Sequence, residues 1–319
     1  MRSFSSVQEA YLSSLQYLLE NGRNVPSVKD TTSVGSRFGN SKRDFTEVTG
    51  YGFSIKNPRD RIISLDSRNV SFGFCIANFI WTLSGENTVD SITHYNRNGR
   101  VFANNDLYYE AAFGDRIFGK HQLWKYTKDL LENDESSRRA FMPLFIPSDL
   151  KERPKDTPCA SSIQLQIRDQ SLDLLLHMRS QSAMMVFPYD IFLFTMLHEW
   201  FSVLLRKRLG KFHYYCNSFH FYNDERERVL NILGETERSS SIPMTKMDGA
   251  SKQVLDHLLD EEKRIRTLQS AYRFEESMDL SNYWKDLLKV LARKSSIENG
   301  YEEVRYEYKD NFLYNKLHI

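Results

Sequence analysis

The stretch TPCASSIQLQIRDQSLDLLLHMRS, residues 157–180, decides the fold. Ile163, Leu165 and Ile167 keep a two-residue spacing, and so do Leu172, Leu174 and Leu176. Successive side chains of a strand point to opposite faces, so each run reads as a strand with one apolar face. The polar turn Asp169-Gln170-Ser171 joins them into a hairpin. Cys159 stands just ahead of the first strand, behind Pro158, which biases Thr157 toward an extended backbone. Arg179-Ser180 ends the second strand.

The same reading extends outward. Pro188 opens a helix expected to run to Gly210, because proline suits the first helical position and glycine the exit. Phe212, Tyr214 and Cys216 alternate as a further strand. Asn223-Asp224-Glu225 starts another helix, with an asparagine cap and an acidic first turn. Near the N-terminus, Val7, Tyr11, Leu15, Leu18 and Leu19 recur at helical spacing and Gly22 is the stop. Residues 23–46 read as a loop rich in Ser, Thr, Gly and Arg, and residues 236–250 as a linker. Beyond the linker the pattern is helical and charged to about residue 298. The class is α+β: a mixed or antiparallel sheet packed by helices. The expected division is a core over residues 1–235 and a C-terminal helical extension over 236–319 packed on it.

Composition narrows the function. With 43 basic and 42 acidic residues the net charge is +1, so bulk attraction to nucleic acid or an anionic membrane is not expected. A small anion held by a few placed arginines remains open. Cys75, Cys159 and Cys216 are far apart and form no CxxC pair, which argues against a disulfide framework or a zinc ribbon and for a reducing compartment. No signal-peptide pattern is visible at Met1-Arg2-Ser3-Phe4, and no run reaches the roughly 18 apolar residues of a membrane helix. A cytoplasmic protein without a metal site is expected.

Three groups carry candidate chemistry. Cys159 reads either as a small core residue or as a nucleophile whose thiolate is favoured by nearby arginines. A thiolate adding to C6 of a pyrimidine makes C5 nucleophilic. Arg179 can grip phosphate with its guanidinium fork, assisted by Ser180, with Arg37, Arg138 and Arg139 as further candidates. His220 and Tyr222, two apart, share one strand face and can hydrogen-bond a sugar, or else belong to an aromatic core face with Phe219 and Phe221. Asp190 reads as an acid in a helix first turn or as an acceptor for an exocyclic amine.

This spaced set resembles the thymidylate synthase superfamily, which includes the pyrimidine nucleotide hydroxymethylases. The resemblance spans roughly residues 7–230 and is strongest over 157–224. Pro158-Cys159 looks like the family's nucleophile motif, Gln164 like the glutamine of the following strand, and Arg179-Ser180 like the phosphate-binding pair. Phe187-Pro188-Tyr189-Asp190 resembles the family's Pro-Phe-Asn element and His220-Phe221-Tyr222 its His-x-Tyr. Arg37 sits where a mobile phosphate-loop arginine is expected. Arg138-Arg139 resembles the pair that reaches the partner subunit's phosphate, which implies a homodimer with shared sites. The resemblance implies a pyrimidine nucleoside monophosphate substrate and methylenetetrahydrofolate as one-carbon donor.

The departures are specific. In the stretch Asn78 to Gly85, which resembles the family's Glu-x-x-Trp helix, Asn78 stands at the catalytic glutamate. An amide is no general acid or base near neutral pH. Phe113 replaces a tyrosine tied to C5 proton removal, Ala160 the histidine after the nucleophile, and Ser182 the folate-binding aspartate. Asp190 replaces the base-reading asparagine and shifts the expectation toward CMP or dCMP and 5-hydroxymethylation. The alternative is a non-catalytic or repurposed nucleotide-binding homodimer that lost its folate and proton-relay groups.

Overall fold

The computed structural model describes residues 2–26, 43–103, 107–151, 156–235, 243–274, 278–302 and 304–309. In chain order the elements are β1 (Arg2–Phe4), α1 (Val7–Asn21), β2 (Arg23–Val25), β3 (Phe45–Ile55), α2 (Phe72–Ser84), α3 (Val89–Thr93), α4 (Phe113–Ile117), α5 (Leu123–Asn133), β4 (Phe141–Pro143) and α6 (Pro147–Lys151). Then follow β5 (Ala160–Arg168), β6 (Ser171–Met178), β7 (Gln181–Ser182), α7 (Phe187–Leu204), β8 (Arg208–Tyr222), α8 (Arg226–Gly234), α9 (Lys252–Thr267) and α10 (Asn282–Asn299). Two compact units result: residues 1–70 with 123–243, and residues 71–122 with 244–319. The sequence reading set a single boundary after residue 235. The contacts instead group residues 71–122 with the C-terminal helices.

The first unit is built on a mixed sheet in the order β1-β3-β8-β6-β5-β4, with β2 on β3 and β7 on β8. The hairpin read from the sequence is present. β5 and β6 pair antiparallel, Ile163 opposite Leu176 and Leu165 opposite Leu174, around a turn in which Asp169 and Gln170 both have positive φ. Such turns match the right-handed twist of the strands they join. β6 then runs parallel to β8, and β8 antiparallel to β3.

α7 packs against β6 and β8. It is apolar around nearly its whole circumference, the mark of a helix enclosed by protein, and Phe187, Phe192, Phe194, Leu197 and Phe201 are all buried. Truncating one such leucine to alanine costs about 2–5 kcal/mol. Two polar groups in α7 are buried with partners. His198 donates from Nε2 to the Leu172 carbonyl at 2.7 Å, and burial pulls its pKa down to about 4, so it is neutral. Glu199 receives Arg59 Nε at 2.6 Å and also Arg61, whose side chain is fully buried.

α7 stops at Leu204, short of the expected Gly210. Arg206 adopts a positive φ of 54° and turns the chain into β8. Gly210 is instead a strand residue pressed against β6: a Cβ there would stand 2.1 Å from Asp173 Oδ1 and 2.5 Å from the Leu172 carbonyl oxygen. The glycine marks a close backbone approach, not a helix exit. Within 23–46, expected as a loop, residues 23–25 and 45–46 belong to β2 and β3.

In the second unit Ser71 caps α2 by accepting from Phe74 N, and Gly85 ends it with φ 73°. α10 lies against α2 at Gly73, where a Cβ would meet Lys294 Cβ at 2.5 Å. Trp284 donates its indole N–H to the Asp248 carbonyl at 2.9 Å, and His94 Nε2 meets Ser295 Oγ at 2.8 Å. α4 sits equally close to α2, since a Cβ on Gly114 would stand 2.5 Å from the Thr82 carbonyl oxygen. No helix among the described residues is long and apolar enough to cross a membrane.

Candidate active site

β5, β6, β7 and the start of α7 bring Cys159, Arg179, Ser180 and Asp190 into one neighbourhood of the first unit. Arg179 N donates to the Cys159 carbonyl at 2.8 Å, continuing the β5–β6 ladder past its end. The Arg179 side chain bends back on the same segment: Nε donates to the Pro158 carbonyl at 2.8 Å and Nη2 to the Thr157 carbonyl at 3.1 Å. A guanidinium carries five N–H donors, so three remain for a ligand. The Ser180 hydroxyl makes no hydrogen bond among the described residues.

Cys159 is half-buried and free. Burial pushes its thiol up to about 11, and Asp190 and Asp156 add to the rise, while Arg179 opposes it. Arg179 favours the thiolate as expected, but two of its donors face backbone carbonyls, and desolvation of the sulfur outweighs the pull of the guanidinium charge.

Asp190 lies in the first turn of α7 and accepts from Gln181 Nε2 at 2.9 Å. Burial pushes its carboxyl up to about 6 and only the Gln181 bond opposes it. Gln181 is itself buried, and Tyr214 Oη lies 3.5 Å from its Oε1. Tyr214 is raised well above the usual phenol range by burial, by Cys216 and by Asp190. Cys216 is buried, and desolvation pushes its thiol up to about 12.

His220 pairs with Ser182 on one side and with Glu47 on the other. Its Nδ1 is buried without a hydrogen-bond partner. Burial lowers its pKa, partly offset by the Ser218 backbone and Glu47, so the ring is neutral at pH 7. Tyr222 meets it edge-on at 5.5 Å, and the Arg43 guanidinium lies 3.9 Å over the Tyr222 ring. Glu47 accepts from Ser218 Oγ at 2.6 Å and from Arg23 Nη2 at 3.0 Å. Burial alone would raise its pKa, but those bonds and the Arg23 charge hold it lower.

Sequence reading did not single out Gln181, Glu47 or Arg68. Gln181 stands among Arg179, Ser180 and Ser182, and Glu47 follows Thr46 and precedes Val48-Thr49, so neither is marked out by its neighbours. Arg68 gave no signal either: it is 4% exposed, donates from Nη2 to the Met184 carbonyl at 2.7 Å, and its Nε is buried without a partner.

The other expected residues sort as follows. Gln164 donates from Nε2 to the Arg138 carbonyl at 2.9 Å and so orders the arginine pair. Arg138 and Arg139 are both exposed. Arg37 lies outside the described residues. Asn78 (on α2) and Phe113 (opening α4) are half-buried and belong to the second unit. Ser182 is buried and its Oγ accepts from Met185 N at 3.1 Å. A hydroxyl already capping a turn does not supply the carboxylate expected to hold a pterin, so Ser182 does not fit that role. Among the described residues no three His, Cys, Asp or Glu side chains group to hold a metal ion.

A thiol, an arginine and a carboxyl thus meet where β5, β6 and the start of α7 come together, and comparison with known proteins gives the family. The thymidylate synthase family pattern matches residues 9–270, and the chain belongs to that family. It is 23% identical over 218 residues to the deoxyuridylate hydroxymethyltransferase of Bacillus phage SP01, a match covering 62% of this chain and 57% of the phage protein. The Delftia phage PhiW-14 deoxyuridylate hydroxymethyltransferase is 22% identical over 73% of this chain and 66% of its own length. The thymidylate synthase of Francisella philomiragia is 23% identical, with 70% and 83% covered. The chain thus spans well under two thirds of the SP01 relative. The fold is that of thermostable thymidylate synthase A from Bacillus subtilis, with TM-score 0.62 at 17% identity over 75% of this chain and 88% of that one.

Proposed function

We propose that this chain binds a pyrimidine nucleoside 5′-monophosphate and functionalises its C5 with a one-carbon unit through a Cys159 adduct at C6. The observation that carries the reading is the free thiol of Cys159 set beside Arg179 and Asp190, each coupled electrostatically to it. Addition of sulfur to C6 moves the C5–C6 electron pair to C5, which attacks the one-carbon electrophile; C5 then releases its proton to solvent and the sulfur leaves C6, which restores the ring double bond. A thiol raised to about 11 must lose its proton as it adds, because little thiolate preexists at pH 7. The remaining Arg179 donors and Ser180 suit phosphate, and the unpartnered His220 Nδ1, with Tyr222, suits a sugar hydroxyl.

Asp190 reads the base. With its carboxyl at about 6 it is mostly an acceptor at pH 7, which suits the exocyclic amine of cytosine, and its protonated fraction, which also donates, suits the N3–H and O4 edge of uracil. An accepting carboxylate favours cytidylate, whereas the phage relatives are named for deoxyuridylate. Methylenetetrahydrofolate is the donor the family implies and would supply a carbon at the formaldehyde oxidation level. Homodimerisation is supported by the sheet face opposite α7, where Phe141 and Tyr215 are exposed, and by the exposed Arg138 and Arg139 beside β4.

Incubation with CMP, dCMP, UMP or dUMP in deuterated water tests the chemistry. Exchange of the C5 hydrogen that vanishes in Cys159→Ala supports the adduct and names the base. Adding methylenetetrahydrofolate and weighing the product tests the donor. Binding without exchange supports a second reading, a nucleotide-binding dimer without turnover. Asn78 at the glutamate position and the committed hydroxyl of Ser182 favour that second reading.

A further inference from the structure

Gln181 lies on β7 between Ser180 and Ser182 and is 1% exposed. It pairs with Phe219 of β8, one residue before Ser182 meets His220. A buried glutamine needs a partner at each end of its amide, because an unmet polar group is unfavourable in the interior. Methionine would fill the same space without that demand. The partners show what the amide does. Nε2 donates to Asp190 Oδ2 at 2.9 Å, and Tyr214 Oη, itself buried, lies 3.5 Å from Oε1. A carboxylate only accepts and a phenol hydroxyl donates, so these two neighbours fix which way the amide faces.

The Asp190 carboxyl is thereby divided. Gln181 takes Oδ2, and Oδ1 makes no hydrogen bond among the described residues. The titratable groups coupled to Asp190 are Cys159, ahead of β5, and Tyr214, on β8, and both are neutral at pH 7. Among the described residues no cation pulls on the carboxyl: burial raises it, and the Gln181 bond alone opposes the rise. The amide is the one group that favours the ionised, purely accepting form.

We propose that Gln181 is a positioning residue that sets the choice between pyrimidines: by donating to Oδ2 it keeps Asp190 an acceptor at Oδ1, which favours the exocyclic amine of cytosine over O4 of uracil. This role rests on Asp190 contacting the base, as proposed above, and Gln181 itself touches no substrate. With the ionised carboxyl binding cytosine and the neutral acid binding uracil, the ratio of the two dissociation constants follows the ratio of ionised to neutral Asp190. That ratio changes tenfold for each unit between pH and pKa. Loss of a hydrogen bond to a charged group moves the pKa up by about one unit. The nucleotide phosphate, whose second ionisation falls at about 6, is common to both ligands and cancels.

Equilibrium dialysis of the full chain with CMP against UMP, and with dCMP against dUMP, reads the ratio from pH 6.5 to 8. Two arms test the base contact. In wild type the preference for cytidylate should rise about tenfold per pH unit, and in Asp190→Asn it should not vary with pH. Two further arms test Gln181. Gln181→Met keeps the side-chain length and removes the amide, so the preference should drop about tenfold at every pH with the slope unchanged. Tyr214→Phe frees the amide to turn and should move the ratio the same way by a smaller factor; it decides the matter where Gln181→Met does not fold. A merely structural role would weaken both nucleotides alike and leave the ratio unmoved. A wild-type ratio in Gln181→Met, with Asp190→Asn flat, overturns the role of Gln181 and spares the base contact. A wild-type ratio that ignores pH, or no binding of either nucleotide, overturns both.

Discussion

Replacing Asp190 by asparagine should stabilise the protein at neutral pH, and the gain should fade in acid. Burial raises the Asp190 carboxyl from 3.8 to about 6. In the unfolded chain the same group titrates near its ordinary value, so between about pH 4 and 6 the folded state holds a proton that the unfolded state has released. Stability therefore falls as pH rises through that window. About two pKa units at 1.36 kcal/mol each make roughly 3 kcal/mol by pH 7, and partial contact with solvent trims this to about 2–3 kcal/mol. Asparagine carries no charge and keeps an oxygen for Gln181 Nε2, so Asp190→Asn escapes the penalty without losing the 2.9 Å bond. Urea unfolding at half-unit steps from pH 4 to 7.5 measures it. The variant should match wild type near pH 4 and exceed it by about 2–3 kcal/mol at pH 7. A difference that is constant with pH, or a variant less stable at pH 7, would mean that Asp190 is ionised at ordinary cost and that burial does not set its state.

Three further outcomes follow from the same coordinates. Alkylation of Cys159 by iodoacetamide, followed by peptide mass, should be slow at pH 7 and still rising above pH 10, because its thiol stands at about 11; a plateau by pH 8.5 would contradict that. Glu199→Gln leaves Arg61 buried beside a neutral amide and should lower unfolding free energy by about 3–5 kcal/mol, read from urea midpoints, and a loss under about 1 kcal/mol would show that the ion pair is not holding α7. Gly114→Ala places a methyl 2.5 Å from the Thr82 carbonyl oxygen, so it should destabilise the second unit by about 1–3 kcal/mol, whereas Gly234→Ala, with nothing within 4 Å, should not.

The parts of the fold that were legible in the sequence are those with a local period. The β5–β6 hairpin follows from leucines and isoleucines two apart, and α1 from apolar residues three and four apart. Both stand where the pattern puts them. Gly210 was misread because glycine carries two meanings, a helix exit and a close approach, and only the position of Asp173 and Leu172 in space tells them apart. The grouping of residues 71–122 with the C-terminal helices was illegible for a related reason. The contact between Gly73 and Lys294 leaves no trace in either segment's own pattern.

At the candidate site, residue identities were readable and their states were not. Cys159, Arg179 and Asp190 could be named from spacing, but spacing cannot say where a guanidinium points. Arg179 donates to the carbonyls of Pro158 and Thr157, so its hydrogen bonds hold the backbone ahead of Cys159. The carboxyl of Asp190 finds an amide partner in Gln181 and no cation. Burial raises both groups, so at pH 7 the thiol at about 11 stays protonated while the carboxyl at about 6 is mostly ionised. Two buried anions near one another would repel, so holding the thiol protonated is how this neighbourhood tolerates the charge of Asp190. A phosphate taking up the other Arg179 donors would offset the guanidinium charge, the one influence that lowers the Cys159 thiol, so on the proposed reading the proton leaves only as the sulfur bonds to C6.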